Sequence, residues 1–347
     1  MVTRSQVLDA NRRAGEVLEA YKARDHIGSG YTRIDPVKIA DDAGVAVVFK
    51  PMDKLLGAFI RGGRPGIILN LVRPPGLLHM TCAHELGHFF LEHPTTADVE
   101  IENRKAKSPL EREADEFAYA LIAPRWLIVH IMKKKNWSTH QLRQPSVIYQ
   151  LSLRLGTSYK STVWTLNRNG IFDFDTAKVL SQLAPKEFKQ TLLKDETPVS
   201  WHSDVWLLDD TDRDLIIEPH ADDNFVIDLP NHASAGYIWS VENAISEGFQ
   251  IQPMLHNVDT RPLASPGDGL TPVGLPGALR CVVWKENTDA DSVMDDKIHV
   301  SLVESQPWVG ETPSDTRFGF SAEFESLNEG LSKAEKQRLI FSARDVA

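Results

Sequence analysis

Met80-Thr81-Cys82-Ala83-His84-Glu85-Leu86-Gly87-His88-Phe89-Phe90 is the stretch on which the reading of this chain turns. Its apolar flanks predict a buried helix, and on a helix His84 and His88 stand one turn apart on the same face. Two imidazoles so placed can reach a single Zn²⁺, which takes nitrogen donors in a tetrahedral set. Glu85 follows the first histidine and projects beside such an ion, where a carboxylate can take the proton of an activated water. Two core histidines, each held by a backbone carbonyl, would leave the same string. Against that stand the apolar flanks, the small Gly87 that lets another backbone come close, and a candidate third ligand downstream.

Before the motif, Val7, Ala10, Ala14, Val17, Leu18 and Tyr21 recur at helical spacing. Asp35-Pro36 reads as a cap followed by a first-turn proline, and Gly44 closes that short helix. Val45–Phe49, Leu56–Ile60 and Gly66–Asn70 read as three short strands between Gly and Pro turns. After the motif, residues 94 to 107 are polar and predict a loop. Ser108-Pro109-Leu110-Glu111 then announces a helix whose apolar stripe is Leu110, Ala114, Phe117, Ala118 and Leu121. Glu113 lies on the edge of that stripe, where a carboxylate needs a partner.

His84-Glu85-Leu86-Gly87-His88, followed by Glu111-Arg112-Glu113-Ala114-Asp115-Glu116-Phe117-Ala118 and Leu121-Ile122-Ala123-Pro124, resembles the ImmA/IrrE family of zinc metallopeptidases. The resemblance implies an α+β, zincin-like minimal metallopeptidase core with Zn²⁺ as cofactor. It also implies His84, His88 and Glu113 as metal ligands and Glu85 as the catalytic base. Glu111, two residues before Glu113, stands as the alternative third ligand. Family members are associated with cleaving helix-turn-helix repressors or antitoxins of the Xre type, which derepresses stress or mobile-element genes.

Val147–Leu155, a break at Gly156-Thr157-Ser158, and Tyr159–Leu166 outline a helix-turn-helix, a subdomain that follows the peptidase core in the resembled family. The segment is basic: residues 117 to 172 carry eight Lys or Arg and no acid, whereas residues 173 to 347 carry a net −17. Lys133, Lys134, Lys135, Arg143, Arg154, Lys160 and Arg168 could meet DNA phosphates. Equally, they could form a solvated helix end or a docking face for the acidic C-terminal half.

Beyond about residue 200, short alternating runs with Gly, Pro, Asn and Asp turns predict an all-β sandwich. Ser234-Ala235-Gly236-Tyr237-Ile238-Trp239, Gly274-Leu275-Pro276-Gly277 and Gln306-Pro307-Trp308 are similar, in order, to the three loops of chagasin-type cysteine-protease inhibitors, which have an immunoglobulin-like fold. A second threonine, one loop glycine and an arginine of that pattern are changed here.

The expected organisation is therefore multidomain: a metallopeptidase-like domain at 1–130, a helical helix-turn-helix-like subdomain at 131–200, a chagasin-like immunoglobulin-like sandwich at 201–312, and a polar tail at 313–347. With 347 residues, 42% hydrophobic and 25% charged, the chain has ordinary globular composition. Its N-terminus lacks an apolar signal core, and no run approaches the ~18 apolar residues of a membrane span. Two cysteines are too few for a disulfide framework, so a cytoplasmic location is expected. The function expected is a zinc-dependent endopeptidase acting on an Xre-type repressor or antitoxin. The alternative is a non-catalytic regulatory protein that binds protein or DNA and keeps its zinc in a closed sphere, with His79 or His93 in the water position. Both histidines otherwise read as surface residues flanking the helix.

Overall fold

A computed structural model describes residues 3–94, 96–99, 108–194, 200–254, 277–285, 297–309, 316–325 and 327–344. The chain opens with α1 (Arg4–Ala20), capped by a reciprocal Thr3–Gln6 box and burying Ala10, Ala14, Val17 and Leu18. α2 (Ala23–Gly28) follows, then α3 (Pro36–Asp42), capped by Asp35 with Pro36 in its first turn. β1 (Ala46–Lys50), β2 (Leu55–Ile60) and β3 (Gly66–Asn70) lead into α4 (Pro75–Phe90), the helix that carries the two histidines. β4 (Thr96–Val99) lies where a loop was expected. It is an edge strand paired to β2, a place that does not demand the apolar alternation by which buried strands are recognised. α5 (Pro109–Ile122) starts at its Ser108 cap, and α6 (Arg125–Lys134), α7 (Pro145–Leu155), α8 (Tyr159–Arg168) and α9 (Phe174–Leu180) complete the helices of the first part.

The second part begins with α10 (Pro185–Leu193). It continues through β5 (Val205–Asp209), β6 (Ile216–Ile217), β7 (Asn224–Asn231), β8 (Ile238–Ser240), α11 (Glu242–Ser246), β9 (Phe249–Pro253), β10 (Gly277–Lys285), β11 (Ile298–Ser305) and β12 (Thr316–Ala322). The chain ends in β13 (Gly330–Leu331) and α12 (Lys333–Arg344).

These elements form two compact units, residues 1–183 with 326–347, and residues 184–325. The boundary falls at 183/184 rather than at 200, and α6 to α9 belong to the same unit as the histidine helix. Instead of a polar tail, the residues after 313 supply a strand to one unit and a strand and helix to the other. In the first unit the sheet order is β13-β1-β3-β2-β4, with β1 and β3 parallel and the remaining pairs antiparallel. β13 covers the edge of β1 that would otherwise expose unpaired backbone. The join is reinforced where Ser332 donates to Asp41 at 2.8 Å and where Arg64 forks onto the Glu335 carboxylate. Polar composition hid this segment, because its strand is only two residues long and its anchors are ionic.

α4 is buried almost all round from Leu78 to His88, so it sits inside its unit rather than on it. Glycines allow its closest neighbours in. A Cβ on Gly87 would lie 3.0 Å from Ala114 Cα of α5, and one on Gly76 would lie 2.5 Å from the carbonyl carbon of Thr157, in the turn between α7 and α8. α5 and that turn are thereby seated against opposite ends of the histidine helix.

In the second unit two four-stranded sheets, β5-β7-β10-β9 and β6-β12-β11-β8, meet through Phe225 of β7 and Phe320 of β12, whose ring centroids are 5.7 Å apart. Phe249 and Phe318 extend this buried aromatic layer. Gly236, at φ +82°, lies beneath Trp308, and Gln306 donates to the Ala235 carbonyl, so two of the three expected loop signatures meet. The stretch from Gly274 to Pro276 lies outside the described residues. Among those described, no helix is long and apolar enough to cross a membrane.

Candidate metal centre

The two histidines converge as helix phase requires. His84 Nε2 and His88 Nε2 are 3.1 Å apart, and a Glu111 oxygen lies 3.1 Å from the first and the other 3.6 Å from the second. Tetrahedral donors about 2.0–2.1 Å from a common ion would be separated by about 3.3 Å, so these three side chains fit a Zn²⁺-sized cation. Among the described residues the cluster of donors mutually within 4.8 Å is His84, His88 and Glu111.

Glu113, the expected third ligand, is turned elsewhere: it accepts a hydrogen bond from the Gln6 side chain of α1 and lies 3.5 Å from His93 Nε2. The reason is rotation. Residues 111 and 115 are one turn apart and share a face of α5, whereas 113 is about 200° from 111. The seam at Gly87 and Ala114 presents the 111/115 face to the histidines, and Asp115 Oδ1 sits 3.1 Å from His84 Nδ1.

That contact fixes the His84 ring by its far nitrogen and leaves Nε2 for the shared point. His93 does the same for His88, with the two Nδ1 atoms 3.0 Å apart. His79 and His93 are both buried, contrary to their reading as surface residues; His79 Nδ1 lies 3.0 Å from the Gly156 carbonyl. Sequence reasoning also missed Arg61. Its guanidinium donates to the carbonyls of His88, Phe89 and His93, closing the C-terminal end of α4 where helix carbonyls lack partners. A lone arginine after a strand carries no motif that would reveal this.

Burial by itself would favour a neutral His84, but the carboxylates of Asp115 and Glu111 outweigh it and raise its pKa to about 10. Hydrogen bonding to His84 and His88 holds Glu111 far below the usual carboxylate range. His93 is pushed down by burial and by its neighbour His88. The cluster thus has a negative field centred on the imidazole nitrogens, suited to a cation.

Glu85 is 1% exposed and lies against β2 at Gly57, where an added Cβ would be 3.3 Å from its Oε1 and 2.6 Å from Thr81 Cγ2. A bare backbone at position 57 is what makes room for this carboxylate. Cys82 is buried and its thiol is raised well above its usual pKa by burial, which removes its reactivity.

Residues 40–167 match the Peptidase_M78 family model, the IrrE N-terminal-like domain. This is a metallopeptidase family, and the IrrE-like region runs from α3 through the sheet, α4 and α5 to α8. It supports a zincin-like core and includes the α7–α8 pair within the same family domain. No curated protein matches the chain. Solved structures with a weak and partial likeness include the cysteine protease inhibitor EhICP2 from Entamoeba histolytica, at 17% identity and TM-score 0.25, covering 36% of this chain and 100% of that one. Another is amebosin, at 18% identity and TM-score 0.25, covering 35% and 98%.

The basic residues of the IrrE-like region and its neighbourhood are partly consumed by the fold. Arg154 and Lys135 are buried, Arg154 donating to the Gln150 carbonyl, and Arg168 pairs with Glu116 while lying over the Tyr119 ring.

Proposed function

We propose that the chain is a zinc-dependent endopeptidase in which His84, His88 and Glu111 hold the ion and Glu85 is the general base. The observation that carries this reading is the convergence of two imidazole Nε2 atoms and one carboxylate, each steadied from behind. A divalent ion held there supplies Lewis-acid activation of water and of a scissile carbonyl. Glu85, as the carboxylate, would take the proton of the attacking water and return it to the leaving amine. Asp115 and His93 would keep the two imidazoles aimed, directly at His84 and His88 respectively. His79 is engaged at Gly156 and His93 at His88 Nδ1, so neither is placed to fill a fourth position; this favours catalysis over a closed, non-catalytic sphere.

A helix-turn-helix repressor or antitoxin of the Xre type is the proposed substrate. The α7–α8 pair is read as a helix-turn-helix-like element serving the core rather than DNA, because its turn abuts Gly76 of α4. The two facing sheets of the second unit are read as an immunoglobulin-like scaffold of the chagasin type. The deciding experiment incubates the purified full chain with such a repressor. Glu85→Gln should keep bound zinc and lose cleavage; undiminished cleavage by that variant would remove the proposed mechanism.

A further inference from the structure

Away from the histidines, α2 and α6 border an open groove of about 700 Å³. Its apolar surface comes from Ile27, Trp126 and Val129, and Val129 is exposed although nothing polar in its side chain suits it to water. Arg24, Arg125 and Lys133 surround that surface, with His130 beside them, and no acidic residue lines the groove. The arrangement follows from helix phase: 125, 129 and 133 lie on one face of α6 at one-turn intervals, with 126 and 130 alongside. The Arg24 guanidinium lies 4.5 Å from the centre of the Trp126 ring, which anchors a cation against the aromatic wall. Among the described residues, no carboxylate pairs with Arg125, His130 or Lys133.

Arg24, Arg125 and Lys133 are exposed to solvent, and with no acidic residue in the lining they give the groove a positive rim that an anion complements. The volume falls within the ~300–1,000 Å³ of small-molecule sites. Guanidinium forks match phosphate oxygens, and the apolar wall calls for a flat, uncharged body. A nucleic-acid track would instead need a continuous exposed basic stripe, which burial of Lys135 and Arg154 and the pairing of Arg168 interrupt. We propose that this pocket binds a phosphorylated small molecule with a flat apolar body, of nucleotide size. This site is independent of the metal centre.

The test titrates the full-length protein with AMP carrying an N-methylanthraniloyl fluorophore, read by anisotropy at low salt. Saturable binding is expected, displaced by unlabelled AMP and not by adenosine at the same concentration. Arg125→Gln with Lys133→Gln should weaken it by about tenfold or more, since both charge-assisted contacts are removed. Val129→Glu, which places a negative charge on the apolar wall, should weaken it comparably. Both variants alter exposed positions and should melt at the wild-type temperature. Affinity unchanged by either variant, adenosine competing as well as AMP, or displacement by a short duplex DNA at lower concentration than by AMP would each overturn the assignment. So would binding that vanishes with a metal chelator and not with the pocket variants.

Discussion

Exchange of the acidic residues of α5 for their amides tests the metal centre most directly, because the structure ranks them. Glu111 touches both histidines, at 3.1 and 3.6 Å, and its replacement by glutamine removes a charged donor from the shared point. Asp115 touches only the far nitrogen of His84, at 3.1 Å. Glu113 is one residue further out, 3.5 Å from His93, which in turn contacts His88. Loss of a partner that orients a liganding histidine typically weakens metal binding about 10–100-fold, or ~1.4–2.8 kcal/mol. Asp115→Asn should therefore fall in that interval. Glu111→Gln should lose about a further tenfold, because a donor goes as well as its charge, while Glu113→Gln should lose less than about tenfold. The assay is competition for Zn²⁺ against a fluorescent chelator, with metal content measured on the purified variants. A larger loss for Glu113→Gln than for Glu111→Gln would refute the assignment of faces on α5, and equal losses for all three would refute the geometric ranking itself.

Gly87→Ala would place a methyl group 3.0 Å from Ala114 Cα and 3.1 Å from its carbonyl oxygen, both backbone atoms that cannot swing aside. The expected cost is ~1–3 kcal/mol in urea unfolding, together with weaker zinc binding as α5 is pushed off α4; a variant as stable as wild type would show that the two helices are not in close contact. Asp41 gives a pH dependence. Burial pushes its carboxyl up from 3.8 to about 6, against the Ser332 hydrogen bond and Arg338 and with help from Asp35 and Glu335. The fold thus favours the protonated acid, so its contribution is complete below about pH 4 and is lost as pH rises through about 6. A two-unit shift is ~3 kcal/mol at most, and screening reduces it to ~1–2 kcal/mol. Asp41→Asn should gain that much on wild type between pH 4 and pH 7 in chemical unfolding, and parallel curves over that interval would contradict the argument.

Much of the first unit was legible along the chain. The cap at Asp35-Pro36, the three strands after Gly44, the histidine helix and the Ser108 start of the next helix are all local patterns, set by turn chemistry and periodicity within a few residues. The motifs that carried the family resemblance lie within residues 40–167, which match that family's model. β4 and β13 were not legible, because a short edge strand is defined by the neighbour it bonds to and not by its own composition. His79 and His93 were misjudged for a related reason: burial of a polar side chain depends on a partner far away in sequence or beyond a helix end.

What the amino-acid order alone determined is the phase of each helix about its own axis. It put His84 beside His88, Glu111 beside Asp115, and Arg125 beside Val129 and Lys133. What only the tertiary structure decided is how those faces are turned toward one another. Close contact between Gly87 and Ala114 accompanies the rotation of α5 that brings Glu111, and not Glu113, to the two histidines, and that rotation is a property of the helix pair and not of either helix alone.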